Sequence, residues 1–148
     1  MAEITFQKAT IDNIGTFIEL EKKVAHMKVY SPTLDEDEAK KEIEENEVFF
    51  IKKDGVIVGT TQYQIQSSEV AYLGGLVIDP QFQGQGIARK AIEFRLDKLK
   101  DFKRIWTVTH PDNIKIIKLY QSYGFVIEAK KENYYGDGES RVVLSREL

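Results

Sequence analysis

Cysteine is absent from the 148-residue chain. No disulfide scaffold, Cys-ligated zinc, iron–sulfur cluster or cysteine nucleophile can be built from it, and the lack suits a reducing compartment. Histidine is scarce as well: His26 and His110 are too few for a His-rich metal site, so no metal is expected. No apolar run approaches the ~20 residues of a bilayer span. The opening residues Met1 to Lys8 lack the apolar segment of a signal peptide. A cytoplasmic protein with no membrane partner is expected. The formal net charge of −3 offers no basic excess, so no nucleic-acid partner is expected either. Repeats, low-complexity tracts and Pro/Gly/Ser linkers are missing. The three prolines, Pro32, Pro80 and Pro111, punctuate the pattern without dividing it, so a single domain over residues 1–148 is expected.

What is present is the composition of a globular protein. Hydrophobic residues make up 42% of the chain, enough apolar surface to offset the entropy of ordering it. Ile4–Ala9 alternates as a short strand, and Thr10 can cap a helix carrying Ile14, Phe17, Ile18, Glu21 and Ala25 at helical spacing. Val29–Thr33 reads as a loop. Asp35–Glu45 reads as a second helix whose acidic first turn suits the helix dipole. Glu47–Lys53 and Val56–Gln66 are strands joined by Asp54-Gly55, a two-residue hairpin signal; Val70–Ile78 is a third strand, stopped by Asp79-Pro80. The pattern then switches to a helix within Gly84–Leu99, a strand at Arg104–Thr109, a helix at Asn113–Tyr123 closed by Gly124, and strands at Phe125–Lys130 and Ser140–Ser145. The order β-α-α-β-β-β-α-β-α-β-β implies an α+β fold around one mixed sheet.

The stretch from Leu76 to Lys90 carries most of the chemistry. A buried strand runs into a glycine-rich turn and then into a helix, which is the layout of an anion cradle: glycines let backbone N–H groups approach a phosphate, and the helix N-terminus adds its dipole. Two phosphate motifs fail here. Arg89 stands where a dinucleotide fingerprint needs its third glycine, and no Gly-Lys-Ser/Thr completes a Walker A loop.

A different pattern does fit. Gln83-x-x-Gly86-x-Ala88 resembles the Gln/Arg-x-x-Gly-x-Gly/Ala motif of the GNAT superfamily of acetyl-CoA-dependent N-acetyltransferases. Asn113, Tyr120, Gly124 and Phe125 stand at the spacing of that family's Asn-(x)6-Tyr-(x)3-Gly-Phe block, and the opening Gln7 to Asp12 resembles its first strand and helix start. The resemblance covers nearly the whole chain. It implies a GNAT fold, one mixed, mostly antiparallel twisted sheet of about seven strands flanked by about four helices. It also implies acetyl-CoA as co-substrate and an amine as acceptor, with a homodimer left open. In the family the backbone of Leu76, Val77 and Ile78 would pair with pantetheine like an extra strand. The turn amides of Gln83, Gly84, Gln85, Gly86, Ile87, Ala88 and Arg89 would hold the pyrophosphate. Asn113 would bond the pantetheine arm, and Tyr120 would protonate the departing thiolate.

Without cysteine, direct attack of the amine in a ternary complex is the expected route. The general base stays open. Many relatives carry a glutamate on the strands that here read Ala71 to Val77 and Ile105 to Thr109, and neither has a carboxylate. Tyr72, Glu21 and His110 are the relay candidates; Glu69 stands at the far start of its strand. Gly74-Gly75 marks either a bulge or a small-residue contact. Asp35–Glu47 carries eight acidic residues and two lysines, which reads as a solvated helix face or as a negative lip that draws a cationic amine. Tyr134 and Tyr135 sit in a tail that is either a plain hairpin loop or, as in peptide N-terminal acetyltransferases, a wall against the acceptor. A peptide or protein amine and a small polyamine-like cation both remain acceptors. The alternative function is an acyl-CoA-binding regulatory module without turnover.

Overall fold

The computed structural model describes residues 2–27, 29–30 and 32–147. Its strands are β1 (Ile4–Lys8), β2 (Glu47–Lys53), β3 (Val56–Ile65), β4 (Val70–Ile78), β5 (Arg104–Thr109), β6 (Val126–Lys131) and β7 (Arg141–Glu147). Its helices are α1 (Ile14–Val24), α2 (Glu36–Glu45), α3 (Ile87–Lys98) and α4 (Ile114–Ser122). The strands form one seven-stranded sheet in the order β1-β2-β3-β4-β5-β7-β6. Every neighbouring pair is antiparallel except β4 and β5, which are parallel because α3 crosses over between them. The expected α+β architecture and element order are present. Of the expected Val29–Thr33 loop, Ser31 lies outside the described residues. No helix among the described residues is long and apolar enough to cross a membrane.

Local chemistry explains the boundaries. Asp54 and Gly55 both take positive φ, 49° and 84°, the mirror-image turn whose twist matches the flanking strands. Asp35 caps α2 by accepting the Glu38 N–H at 3.0 Å. The first helix starts later than Thr10 suggests. The Asn13 side chain accepts the Thr10 N–H at 2.9 Å, tightening Ile11–Asn13 into a 3-10 turn before α1 begins. The buried stripe of α1 is Phe17, Ile18, Leu20, Glu21 and Val24, while Ala25, which matches the spacing, is exposed just past the helix end.

Helices cover both faces of the sheet. On one, α1 and α2 pack Phe17, Ile18, Leu20, Ala39 and Ile43 on Val48 and Phe50. On the other, α3 packs Ile87 and Ala91 against Ile51, Val58 and Ile78, and Ile92, Leu96 and Tyr120 join Leu73, Ile105, Phe125 and Leu144. Alternation along β2 sends its neighbours to opposite cores.

Two irregularities shape the centre of the sheet. Between β3 and β4 the register shifts so that Gln62 alone faces Gly74 and Gly75, the bulge that the glycine pair suggested. Beyond Leu73↔Thr107, β4 and β5 no longer pair, so residues 74–78 leave one backbone edge open. Gly59 holds β3 close to that segment: a Cβ there would lie 2.2 Å from the Val77 carbonyl oxygen. Gly59→Ala is therefore expected to cost roughly 1–3 kcal/mol through overpacking, read as a lower denaturant midpoint, and to displace the open segment of β4.

Candidate active site

The unpaired stretch of β4 forms the floor of two cavities that meet there. The first, about 330 Å³, lies over the glycine turn and is lined by Leu76, Ile78, Phe82, Gln83, Gly84, Gly86, Ile87, Ala88, Arg89, Asn113 and Lys115 among others. The second, about 300 Å³, runs from the bulge toward α1 and α2 and contains Glu21, Glu42, Tyr72, Leu76, Tyr120 and Tyr135. Leu76, Asn113, Ile116 and Tyr30 line both, so the two are joined across the middle of the molecule.

The first cavity has features that suit an anion on an extended chain. Gly84 and Gly86 have φ of 78° and 79°, so side chains are disfavoured there and the turn amides are left uncovered. Gly86 is the N-cap residue of α3, and the helix N-terminus faces the same groove. Arg89 reaches across to α4, donating to the Tyr123 hydroxyl at 3.2 Å with its guanidinium over the ring. The Gln83 side chain donates to the Ile78 carbonyl at 3.0 Å, so it braces the end of β4. Ile87 contributes only backbone, since its side chain is in the core. Gln85 points elsewhere, bonded to Lys53, and does not line the groove. Val77 lines the second cavity instead of the first. Asn113 occupies the N-cap position of α4 yet makes no capping bond with its side chain, leaving that amide for another partner.

In the second cavity the carboxylates come from the α1–α2 side. Glu21 is only 6% exposed. Burial, reinforced by the neighbouring Glu42 charge and opposed by the Thr33 backbone N–H, pushes its carboxyl up to about 7. Burial also raises Glu42, which accepts a bond from the Thr33 hydroxyl, and its Oε2 is buried without a partner among the described residues. Among the described residues no Lys or Arg pairs with either carboxylate. A cavity holding two carboxylates with no paired cation among the described residues favours a cationic occupant. The facing wall is aromatic. Tyr72 bonds Tyr135 and packs on Trp106 with ring centroids 4.5 Å apart, and burial pushes its hydroxyl well above the usual range. Tyr134 meets Tyr135 edge to face.

The three relay candidates separate on this geometry. His110 is 3% exposed; its Nδ1 accepts the Asp112 N–H at 3.0 Å, so its Nε2 carries the proton shared with Glu139 at 2.7 Å. Both ring nitrogens are occupied, and His110 anchors the β6–β7 loop. Tyr72 is held in its protonated form. Glu21 remains as a carboxylate whose proton affinity is matched to neutral pH. Glu69 pairs with Lys103 at 3.1 Å and does not line the cavity.

Tyr120 stands in the second cavity, 3% exposed, and its hydroxyl accepts a bond from Arg95 Nη2 at 2.7 Å. Arg95 is a site residue that sequence reasoning misses. It lies beside the apolar arc of α3 and would be taken for a surface charge, yet it is fully buried. Glu42 belongs to the acidic segment read as a possible negative lip, but its burial against Thr33 and α1 depends on the fold.

An open backbone edge beside a glycine cradle is thus joined to a cavity with a buried tyrosine and a carboxylate of raised proton affinity. The model of the acetyltransferase (GNAT) family matches residues 16–125, and the chain belongs to that family. The ribosomal protein bS18 alanine N-acetyltransferase of Escherichia coli (strain K12) is 32% identical over 73 residues, which is 48% of this chain and 49% of that protein. The chain thus spans about half the length of the curated relatives it matches. The crystal structure of the Escherichia coli ribosomal-protein-S18-alanine N-acetyltransferase superposes with a TM-score of 0.81 at 22% identity, covering 99% of this chain and 94% of that one. A GNAT family acetyltransferase from Elizabethkingia anophelis, with acetyl-CoA bound, superposes with a TM-score of 0.73 at 18% identity over 98% of both chains.

Proposed function

We propose that this chain is a single acetyltransferase domain that moves the acetyl group of acetyl-CoA to a primary amine by direct attack in a ternary complex. The observation that carries the reading is the junction of the two cavities at the open edge of β4, beside Tyr120. Acetyl-CoA, when bound, supplies a thioester carbonyl for the amine to attack. The free backbone edge at Leu76, Val77 and Ile78 accepts an extended amide-bearing arm as a strand would. Asn113 bonds that arm, and the amides from Gln83 to Arg89, with the Arg89 charge, hold the pyrophosphate. Leu76 lines both cavities, so a strand-end amide there can meet the negative charge that develops on the carbonyl oxygen, an effect of about 3 kcal/mol per donor in other acyl-transfer sites. Glu21 takes the amine's proton, directly or through water, and Tyr120 gives its own proton to the departing sulfur.

The acceptor is an amine that enters beside Glu21 and Glu42. The carboxylate pair supports a small polyamine-like cation; Tyr135 in the cavity lining, packed edge to face by Tyr134, and the likeness to bS18 alanine N-acetyltransferases support a peptide or protein amine. Comparing kcat/KM for aliphatic diamines and for alanine-terminated peptides tests this. Glu42→Gln is expected to weaken diamine turnover selectively if the small cation is the acceptor, and Tyr135→Ala to weaken peptide turnover if the peptide is. Catalysis is favoured over a binding module without turnover, because Glu21, in the same cavity as Tyr120, offers a carboxylate that β4 and β5 lack.

The cradle has its own test. Gly86→Ala forces a side chain into a left-handed conformation at about 1–2 kcal/mol. Passed into binding, that is on the order of tenfold in the Kd of acetyl-CoA, measured by calorimetry.

A further inference from the structure

Arg95 is buried completely, and no carboxylate among the described residues pairs with it. Its three hydrogen bonds go to neutral oxygens: Nη2 to the Tyr120 hydroxyl at 2.7 Å, and Nη1 to the carbonyls of Gln62 at 3.2 Å and Gly74 at 3.3 Å. Its Nε has no partner among the described residues. As a means of holding the fold this is a poor arrangement. An apolar side chain of similar volume would fill the same space without the desolvation of a lone cation. The position of the bonds gives the charge a different use. Gln62 and Gly74 are the two sides of the β3–β4 bulge, and Tyr120 stands at the bottom of the cavity beside it.

We infer that Arg95 is the positioning residue of the reaction, locking Tyr120 in register with the bulged strand and holding an unneutralised cation at the oxygen that turns negative when Tyr120 gives up its proton. The inference rests on Tyr120 as the acid of the proposed transfer. A guanidinium only donates, so its bond to Tyr120 uses a lone pair of the hydroxyl and leaves the O–H proton to point away from Arg95. No other described residue accepts that proton. In the step, the amine nitrogen bonds the acetyl carbon, the C–S bond breaks with its electron pair going to sulfur, and that sulfur takes the Tyr120 proton as the O–H bond breaks and an S–H bond forms. The negative charge moves to the tyrosine oxygen, 2.7 Å from Arg95 Nη2. The proton that the amine loses to Glu21 passes to solvent, and Tyr120 regains one from solvent, so no other reactant is needed.

The test is a double-mutant cycle on kcat, read together with the melting temperature. Arg95→Met is expected to lower kcat on the order of 10- to 100-fold, to leave the KM for acetyl-CoA within about twofold, and to leave the melting temperature unchanged or higher. In the Tyr120→Phe background the same change is expected to alter kcat less than about twofold, because the acid it serves is gone. Arg95→Lys, which keeps the charge and loses the fork, is expected to restore part of the rate. Equal losses of kcat in both backgrounds, accompanied by a fall in melting temperature in Arg95→Met and Arg95→Lys alike, would make Arg95 a structural strut and overturn the inference. Turnover by the unsubstituted chain reports separately on the proposed transfer.

Discussion

Tyr120→Phe is expected to lower kcat on the order of 100- to 1,000-fold, the range for loss of a positioned acid, while the Kd of acetyl-CoA stays within about threefold. The phenol accepts a bond from Arg95 and offers its own proton to the cavity. In the proposed transfer coenzyme affinity comes from elsewhere, from the open edge of β4, the glycine turn and Arg89. The substitution has a second signature. It leaves a buried guanidinium N–H without its acceptor, at about 1–3 kcal/mol of stability. A phenylalanine variant that is both slower and less stable, with acetyl-CoA bound as before, fits this arrangement. A variant of unchanged kcat would remove Tyr120 from the chemistry.

Glu21→Gln is expected to act in opposite directions on rate and on stability. Burial and the Glu42 charge raise the Glu21 carboxyl from 4.5 to about 7. A carboxyl raised in the folded state costs nothing below its unfolded value, where it is protonated in both states. The cost grows as pH rises from 4.5 through 7 and is complete above, at about 3 kcal/mol. The glutamine variant should therefore unfold at the same denaturant concentration as the unsubstituted chain near pH 4.5, and be the more stable by an amount of that order at pH 8. As the proposed base, Glu21 must be ionised to take the amine's proton. The unsubstituted chain should show an acid limb in kcat/KM near pH 7, and the glutamine variant should lose that limb together with roughly 100-fold in rate. Urea melts at the two pH values and a pH–rate profile check the pair. A glutamine variant less stable at pH 8 would show that the carboxylate is not held against its own charge.

Much of this was legible in the residues. Asp54-Gly55 named its turn, Gly74-Gly75 narrowed its site to a bulge or a small-residue contact, and the spacing from Asn113 through Tyr120 to Phe125 placed a helix and the strand after it. These are short-range signals, in which a few neighbouring residues decide one conformation. The parts that escaped are long-range. Arg95 sits one residue before the apolar Leu96 and reads as a surface charge; only packing on the β3–β4 bulge buries it. Glu21 fits the helical spacing of α1, but its environment comes from Glu42 and Thr33 on segments that the fold folds back over it. His110 offered a tempting side chain, and its unavailability depends on Glu139, 29 residues further along the chain. Chemistry written into a turn can be read from sequence, whereas chemistry that depends on burial needs the partners in place.

The measurement that bears most directly on the proposed transfer is release of coenzyme thiol from acetyl-CoA, followed with a thiol reagent across polyamines, amino acids and peptide N-termini. The chain has no cysteine, so the reagent sees only the product. The expected result is release with one class of amine, matched by an acetylated amine of the corresponding mass and lost in Tyr120→Phe. No release with any acceptor, while acetyl-CoA still raises the melting temperature, would contradict catalysis and leave a domain that only binds the coenzyme.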